Sequence, residues 1–439
     1  MPDSTGEPPH GITFRDALRF WFRLGLISFG GPAGQIAIMQ TELVDRLRWI
    51  DQRSFLNGLN FCTLLPGPEA QQLATYIGWR LHGVRGALAA GGLFVLPGAV
   101  VLLALSWIAA AKGDTSVVSA IFYGLKPVVI AVVAGAVWRI GRRALKTWQA
   151  VALAAAAFVA IFFFGIDFPW IVLGAALIGW IVGRSGPSPF ISGGHGPAAA
   201  HDTAVGRTTI APIRRPMARL LGILAIFIVL WAVPVAAVIL WLGTKPFADI
   251  ANLFTKAAFV TFGGAYAVLP YVADHAVNYY GWLTPDEMLN GMALAETTPG
   301  PLILVLQYVG FFAGWHNSAG LDPTLAAVVG AALTTYCTFL PCFLFIFAAA
   351  PYVESLHENK NIGSALGAIT AAIVGVILNL AVFLAQGVVL PAGRPDAFAI
   401  ILALVAFAAM QRWKLDIHWL VGGGAAAGLA FRLATGALA

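Results

Sequence analysis

The chain has 439 residues, of which 59% are hydrophobic and only 10% are charged. Soluble domains carry roughly a quarter charged residues, and several apolar runs here exceed the ~20 residues that cross a bilayer, so a soluble globular protein is excluded and an all-α polytopic membrane protein is expected. The formal net charge of +6 then reports basic loops on one side of a membrane rather than affinity for nucleic acid.

Residues 1–11 are polar and lack the basic-then-apolar pattern of a cleaved signal, so the first apolar helix is expected to insert uncleaved. Residues 12–29 read as a helix that Gly30-Gly31-Pro32 interrupts, and 33–47 resumes it. Pro32 suits the first helical position, where its missing N–H costs nothing. The same grammar follows in 53–65, Pro66-Gly67-Pro68 and 69–82. Such half-segments are short for a full crossing, which fits either re-entrant hairpins with the break at the tip or paired tilted spans. Four longer runs near 84–111, 116–139, 147–165 and 168–183 complete a first unit over 12–183. Residues 184–219, rich in Gly, Pro, Ser and Arg, read as a flexible basic linker. A single apolar run, 220–243, precedes a second unit over 244–439. That unit repeats the order, with broken segments 247–279 and 285–315 and runs near 324–351, 362–390, 396–411 and 416–437.

The repetition is in register. Ser28-Phe29-Gly30-Gly31-Pro32 returns 233 residues later as Thr261-Phe262-Gly263-Gly264-Ala265, and the same offset carries Pro66-Gly67-Pro68 onto Pro299-Gly300-Pro301. It also pairs Phe14 with Phe247, Asp16 with Asp249, Arg23 with Lys256, Trp49 with Trp282 and Leu56-Asn57-Gly58 with Leu289-Asn290-Gly291. Identities that gather at helix breakers inside apolar segments mark an internal duplication. Basic residues orient it. Arg46, Arg48 and Arg53, then Arg80 and Arg85, then Arg139, Arg142, Arg143 and Lys146, and finally the linker fall on one side if each broken segment crosses an even number of times. That side is expected to be cytoplasmic. The run 220–243 then carries the chain across, so the second copy enters from the opposite face. The expected protein is an inverted repeat in a bacterial inner membrane, with its N-terminus cytoplasmic and its C-terminus periplasmic.

Inverted repeats with broken helices are the architecture of secondary transporters, whose site lies near the midplane at the repeat interface. A helix that starts inside the membrane turns unpaired N–H groups and a partial positive charge toward what precedes it, which suits an anion. Four such starts are expected, after Gly31, Gly67, Gly264 and Gly300. The competing reading is that these residues only permit close packing or kinks. Arg23 lies five residues before Ser28, and Lys256 five before Thr261. A cationic pair of this kind suits a divalent oxyanion, whereas the bland alternative pairs them with Asp16 or Asp249. Glu69 and Glu296 flank the Pro-Gly-Pro breaks and are candidates to carry a coupling proton, although Glu69 serves equally well as a cap for its own helix. Gln35, Gln71, Gln72, Tyr266, Thr297, Thr298 and Gln307 add neutral polar groups for substrate oxygens or for bonds between helices. Cys62, Cys337 and Cys342 sit in apolar segments without metal-ligand spacing, so buried thiols are expected, with no metal and no cofactor. Neither a phosphate-binding loop nor an enzymatic constellation is visible.

Several stretches are recognisable. FGGPAGQIAIMQTELV at 29–44, LLPGPEAQQLATYIGWRLHGVRGALAA at 64–90 and FVLPG at 94–98 resemble the first domain of the chromate ion transporter family in its long, two-domain form. TFGGAYAVLPYV at 261–272, GWLT at 281–284, ETTPGPLILVLQYVGF at 296–311 and FLPC at 339–342 resemble the second. Members keep Gly-Gly-Pro only in the first domain, and Ala265 preserves that asymmetry. The resemblance implies export of chromate from the bacterial cytoplasm, giving resistance, with sulfate as the tetrahedral mimic. The expected partners are the dianion and the lipid bilayer, with a second copy in a homodimer as a further candidate. Two other readings stand beside it: a transporter of sulfate or a related oxyanion, and a passive anion channel using the same breaks.

Overall fold

The computed structural model describes residues 12–29, 31–113, 115–185, 188–190, 216–318, 320–350 and 360–436. Every long element among them is helical, and seven helices are long and apolar enough to cross a membrane. The chain is therefore an all-α, multi-pass membrane protein. Gly30, residues 1–11 and most of the expected linker lie outside the described residues.

The first copy opens with α1 (Phe14–Ile27), capped by the Thr13 hydroxyl accepting from Asp16 N and ending at Ser28. Helix α2 (Gly31–Gln40) continues into a wider π turn over Thr41–Arg46. It begins one residue earlier than expected, so Pro32 is second in the helix, still among the first N–H groups that lack an intrahelical partner. Helix α3 (Gln52–Leu64) is capped by Asp51. The expected helices 69–82 and 84–111 form one element, α4 (Glu69–Lys112), that turns sharply at His82-Gly83, where Gly83 has φ +60°. The two limbs fold back on each other. Gly78 meets the Gly86 backbone, and Gly91 faces Gln71 and Thr75, so side chains there would hold the limbs apart.

Helices α5 (Ser116–Ala144), α6 (Trp148–Phe164), α7 (Phe168–Ser185) and α8 (Pro216–Leu242) follow. The second copy runs α9 (Phe247–Val260), α10 (Ala265–Asp274) with a π turn over His275–Tyr279, α11 (Pro285–Thr297), a 3-10 turn over Leu302–Leu304, and α12 (Val305–His316). It ends with α13 (Pro323–Ala349), α14 (Lys360–Val389), α15 (Ala397–Arg412) and α16 (Ile417–Ala434).

Each Pro-Gly-Pro segment doubles back at its break. His316, at the end of α12, lies 3.4 Å from Glu287 and donates from Nδ1 to the Trp282 carbonyl at 2.8 Å, beside the start of α11. In the first copy Gly58 of α3 lies against the Tyr76 ring of α4, and Gly291 of α11 lies against Tyr308 of α12 in the same way. These partners show that the repeat loses register after Pro301. Gly58 and Gly291 are 233 apart, whereas Tyr76 and Tyr308 are 232 apart. The 3-10 turn, which rises faster per residue than an α-helix, sits where the residue is missing.

Candidate anion site where the helix breaks meet

The four breaks pair across the two copies. Gly67 N donates to Thr261 O at 2.6 Å, and Gly300 N donates to Ser28 O at 2.8 Å. Each first-break cap of one copy thus receives the Pro-Gly-Pro tip of the other, and the 233-residue offset converts one bond into its counterpart. The tips need glycine for a backbone reason. Gly67 and Gly300 have φ of +123° and +93°, where residues with a Cβ are strained. Close approach adds a second reason at Gly98 of α4, whose missing Cβ leaves room for the Pro299 carbonyl. Gln35 Nε2 donates to Gly300 O at 2.6 Å and joins α2 to the same tip. Pro68 and Pro301 stand at the N-caps without a side-chain acceptor, so the first N–H groups of α4 and of the Leu302 turn carry no side-chain cap.

Buried polar atoms collect here. Ser28 Oγ and the side-chain carbonyls of Gln35, Gln71 and Gln72 have no hydrogen-bond partner among the described residues. Buried polar groups are normally paired, so a row of unpaired ones at converging helix ends is a place made for something polar. Glu296 is buried and accepts from Tyr266 Oη at 2.6 Å. Gln72 Nε2 donates to Pro66 O at 2.7 Å, and Gln71 Nε2 to Thr75 Oγ1 at 3.1 Å. Gln307 donates to Ala99 O and accepts from Thr335.

Other expected ligands are occupied or turned away. Thr261, Thr297 and Thr298 hydroxyls donate to carbonyls of their own helices. Gly263 and Gly264 lie at positive φ just before α10, as Gly31 does at the first position of α2. Arg23 and Lys256 are both exposed. Lys256 lines a groove of about 380 Å³ beside Trp231, Asn252 and Thr255, between α8 and α9. Neither pairs with Asp16 or Asp249, since Asp16 accepts from Thr13 and Asp249 faces Lys245 at 3.9 Å. Glu69 is part-buried at the start of α4. All three cysteines are buried and free.

Some neighbours of the breaks were not legible in sequence. His418 of α16 packs on Phe29 with ring centroids 5.1 Å apart.

Residues 15–180 and 248–429 match the sequence profile of the chromate transporter family. The chain belongs to that family. A chromate transport protein of Pseudomonas aeruginosa is 30% identical over 427 residues, covering 95% of this chain and 92% of the relative. A chromate transport protein of Cupriavidus metallidurans is 26% identical over 419 residues, covering 95% and 93%. A shorter relative, an uncharacterized transporter of Bacillus subtilis, is 28% identical over 165 residues, 37% of this chain but 93% of its own length. No solved structure matches. Within this family the break residues described above fall inside the matched segments, Lys256 and the tips included.

Proposed function

We propose that the chain is a secondary transporter that carries chromate outward across the bacterial inner membrane and so confers chromate resistance, with sulfate as a chemical mimic. The observation that carries the reading is the reciprocal pair of backbone bonds, Gly67 to Thr261 and Gly300 to Ser28. An exchange of this kind is what a two-fold relation between the copies produces. It supports an inverted repeat of units 12–183 and 244–439, with α8 reversing the second and the N-terminus cytoplasmic. In such transporters the site forms where broken helices of both repeats meet, and helix N-termini face an anionic group. The unpaired Ser28 hydroxyl supplies a hydrogen-bond donor there. The family's named relatives support chromate as the substrate.

Glu296 is the coupling carboxylate in this reading, because it is buried at a tip and its one oxygen is held by Tyr266. Everted membrane vesicles carrying labelled chromate test the whole. Accumulation of chromate driven by a proton gradient is expected, with sulfate as competitor, and Glu296→Gln is expected to remove the gradient's effect while leaving exchange between labelled and unlabelled anion. Vesicles that accumulate sulfate but never chromate would refute the substrate. Flux that follows only the anion gradient and the potential would replace the transporter with a channel.

A further inference from the structure

Three glutamine amides at the breaks are held by one end only. Gln35 of α2 donates from Nε2 to Gly300 O at 2.6 Å, and Gln72 of α4 donates from Nε2 to Pro66 O at 2.7 Å. Gln71 donates from Nε2 to Thr75 Oγ1 at 3.1 Å, and that hydroxyl gives its own proton to Gln71 O at 2.9 Å. Every one of these partners accepts, two because they are carbonyls and the third because its proton is committed. A flipped amide would set oxygen against oxygen, so the three Oε1 atoms are fixed as acceptors. All three side chains are buried to 1% exposure or less, and their Oε1 atoms have no partner among the described residues. Gln307 of α12 shows the ordinary arrangement, donating to Ala99 O and accepting from Thr335. The thiol beside Gln72 does not answer it, because Cys342 Sγ donates to Thr338 O.

The surroundings say what kind of donor fits. Gln71 and Gln72 lie in the first turn of α4, whose first N–H groups carry no side-chain cap, and Gln35 lies one turn into α2. Gly300 N donates to Ser28 O while Gly300 O accepts from Gln35, so one tip residue carries both an unpaired hydroxyl and an unpaired carbonyl as neighbours. Helix N-termini disfavour a metal cation, and a bare dianion has no hydrogen to give a carbonyl.

We propose that the tips select a tetrahedral oxyanion that still carries one proton, hydrogen chromate, whose O–H donates to a glutamine Oε1 while its charged oxygens face the helix starts and the Ser28 hydroxyl. This rests on the transport reading above and names the protonation state on which it acts. Chromate takes up its first proton near neutral pH, whereas sulfate does so only in strong acid. Two ions of one shape thus differ at the atom that the glutamines address. A site built to pair with a substrate O–H rejects the analogue that lacks it, because its own polar groups are then left buried and unpaired. Sulfate is a weak competitor in consequence. The proton stays on the substrate oxygen, and no bond to chromium is made or broken.

Among the described residues, the groups beside the site that take up protons themselves are Glu69 in the first turn of α4, Cys342 of α13, Glu296 with its partner Tyr266, and His418 of α16 against Phe29. Each would respond to bound chromate and bound sulfate alike, which makes sulfate the control. The test is equilibrium binding of labelled chromate and labelled sulfate to the full chain in nanodiscs, over a pH series that spans chromate's own protonation. Where half of the chromate is protonated, it is expected to bind at least about tenfold more tightly than sulfate. Above that pH its affinity should fall about tenfold per pH unit, while that of sulfate stays flat. Gln35→Leu, Gln71→Leu and Gln72→Leu should narrow the preference for chromate, at least one of them by about fivefold or more. Chromate affinity that ignores pH overturns the proposal, and so does a slope that sulfate shares, which would put the proton on the protein. Binding that requires sodium in place of potassium would give the carbonyls to a cation and overturn it as well. An unchanged preference in every glutamine variant that folds has the same force, and the wild-type series needs no variant. A wild-type chain that binds neither ion removes the transport reading itself.

Discussion

The two copies share a grammar but not a place in the molecule. In α10 every residue from Ala265 to Ala273 is buried, and α9 to α12 belong to the large apolar core that runs through α5, α13 and α14. In α2 the buried positions are Gln35 and Met39, and α1 to α3 pack chiefly on α4 in a separate, smaller cluster around Trp21, Phe55, Phe61 and Phe94. The difference teaches that duplication conserves the break chemistry and not the surroundings. In a bilayer, helices associate through packing and hydrogen bonds rather than by escaping water. The copy with neighbours on more sides is therefore the more rigid one, and the other hangs on α4 and on its bonds to the opposite tip.

Hydrogen exchange gives the widest reading of that contrast. Amides of α2 are expected to exchange at least a hundredfold faster than those of α10, because local opening costs least where buried contacts are fewest. Equal protection would erase the distinction. The shared seam comes next. Gly98→Val places a side chain against the Pro299 carbonyl, an overpacking expected to cost about 3 kcal/mol or more and to abolish transport. Gly92→Ala, six residues earlier with open space at its Cβ, should behave as wild type in the same uptake and melting assays.

The tips are predicted to differ more modestly. Alanine at Gly67 or Gly300 carries the strain of a positive φ, about 1–2 kcal/mol. At Gly67 the new Cβ also lies 2.7 Å from Gln72 Nε2 and 3.0 Å from Cys342 Sγ, whereas at Gly300 its nearest neighbour is the movable Leu304 Cδ1 at 3.3 Å. Gly67→Ala should therefore melt lower than Gly300→Ala. Identical melting would show that the tips are equivalent despite their surroundings.

The smallest effect lies at two caps that the offset also pairs. Asp51 accepts from Ser54 N at 2.8 Å to start α3, and Thr284 accepts from Glu287 N at 3.2 Å to start α11, with Glu287 returning the bond. Replacing either by alanine should cost about 1 kcal/mol. Both caps involve a carboxylate, Asp51 as the acceptor itself and Glu287 as the group that returns the bond to Thr284. Burial pushes the Asp51 carboxyl up, but the bonds from Ser54 and the charge of Arg80 outweigh that and hold it below its ordinary 3.8. Its contribution is present above that value and disappears as pH falls through the lower folded one. The cost of Asp51→Ala should thus fade in melts as pH falls below 3.8 and through the lower folded value.

Much of this fold was legible in the chain itself. The observed helix limits lie within a few residues of those read from apolar runs and breakers, because Gly at positive φ and Pro without a donor act locally. The turn at His82-Gly83 was read as a boundary for the same reason. Less of the site was legible. Ser28, Gln35, Gln71 and Tyr266 were picked from their nearness to the breaks, and they do lie at the tips. Arg23 and Lys256 were picked by the same rule and are exposed, because proximity in sequence says nothing about which side of a helix meets the partner copy.

By itself, then, the sequence determined where the helices break, that the breaks come in two matched sets, and that the whole is a membrane protein. These follow from backbone sterics and apolar periodicity, which need no distant partner. Only the tertiary structure decided that Gly67 meets Thr261 and Gly300 meets Ser28, that Gly98 must be bare to admit Pro299, and that Lys126 of α5 pairs with Asp286 of α11. Those relations join residues tens to hundreds of positions apart, and packing between helices selects them after each helix has already formed.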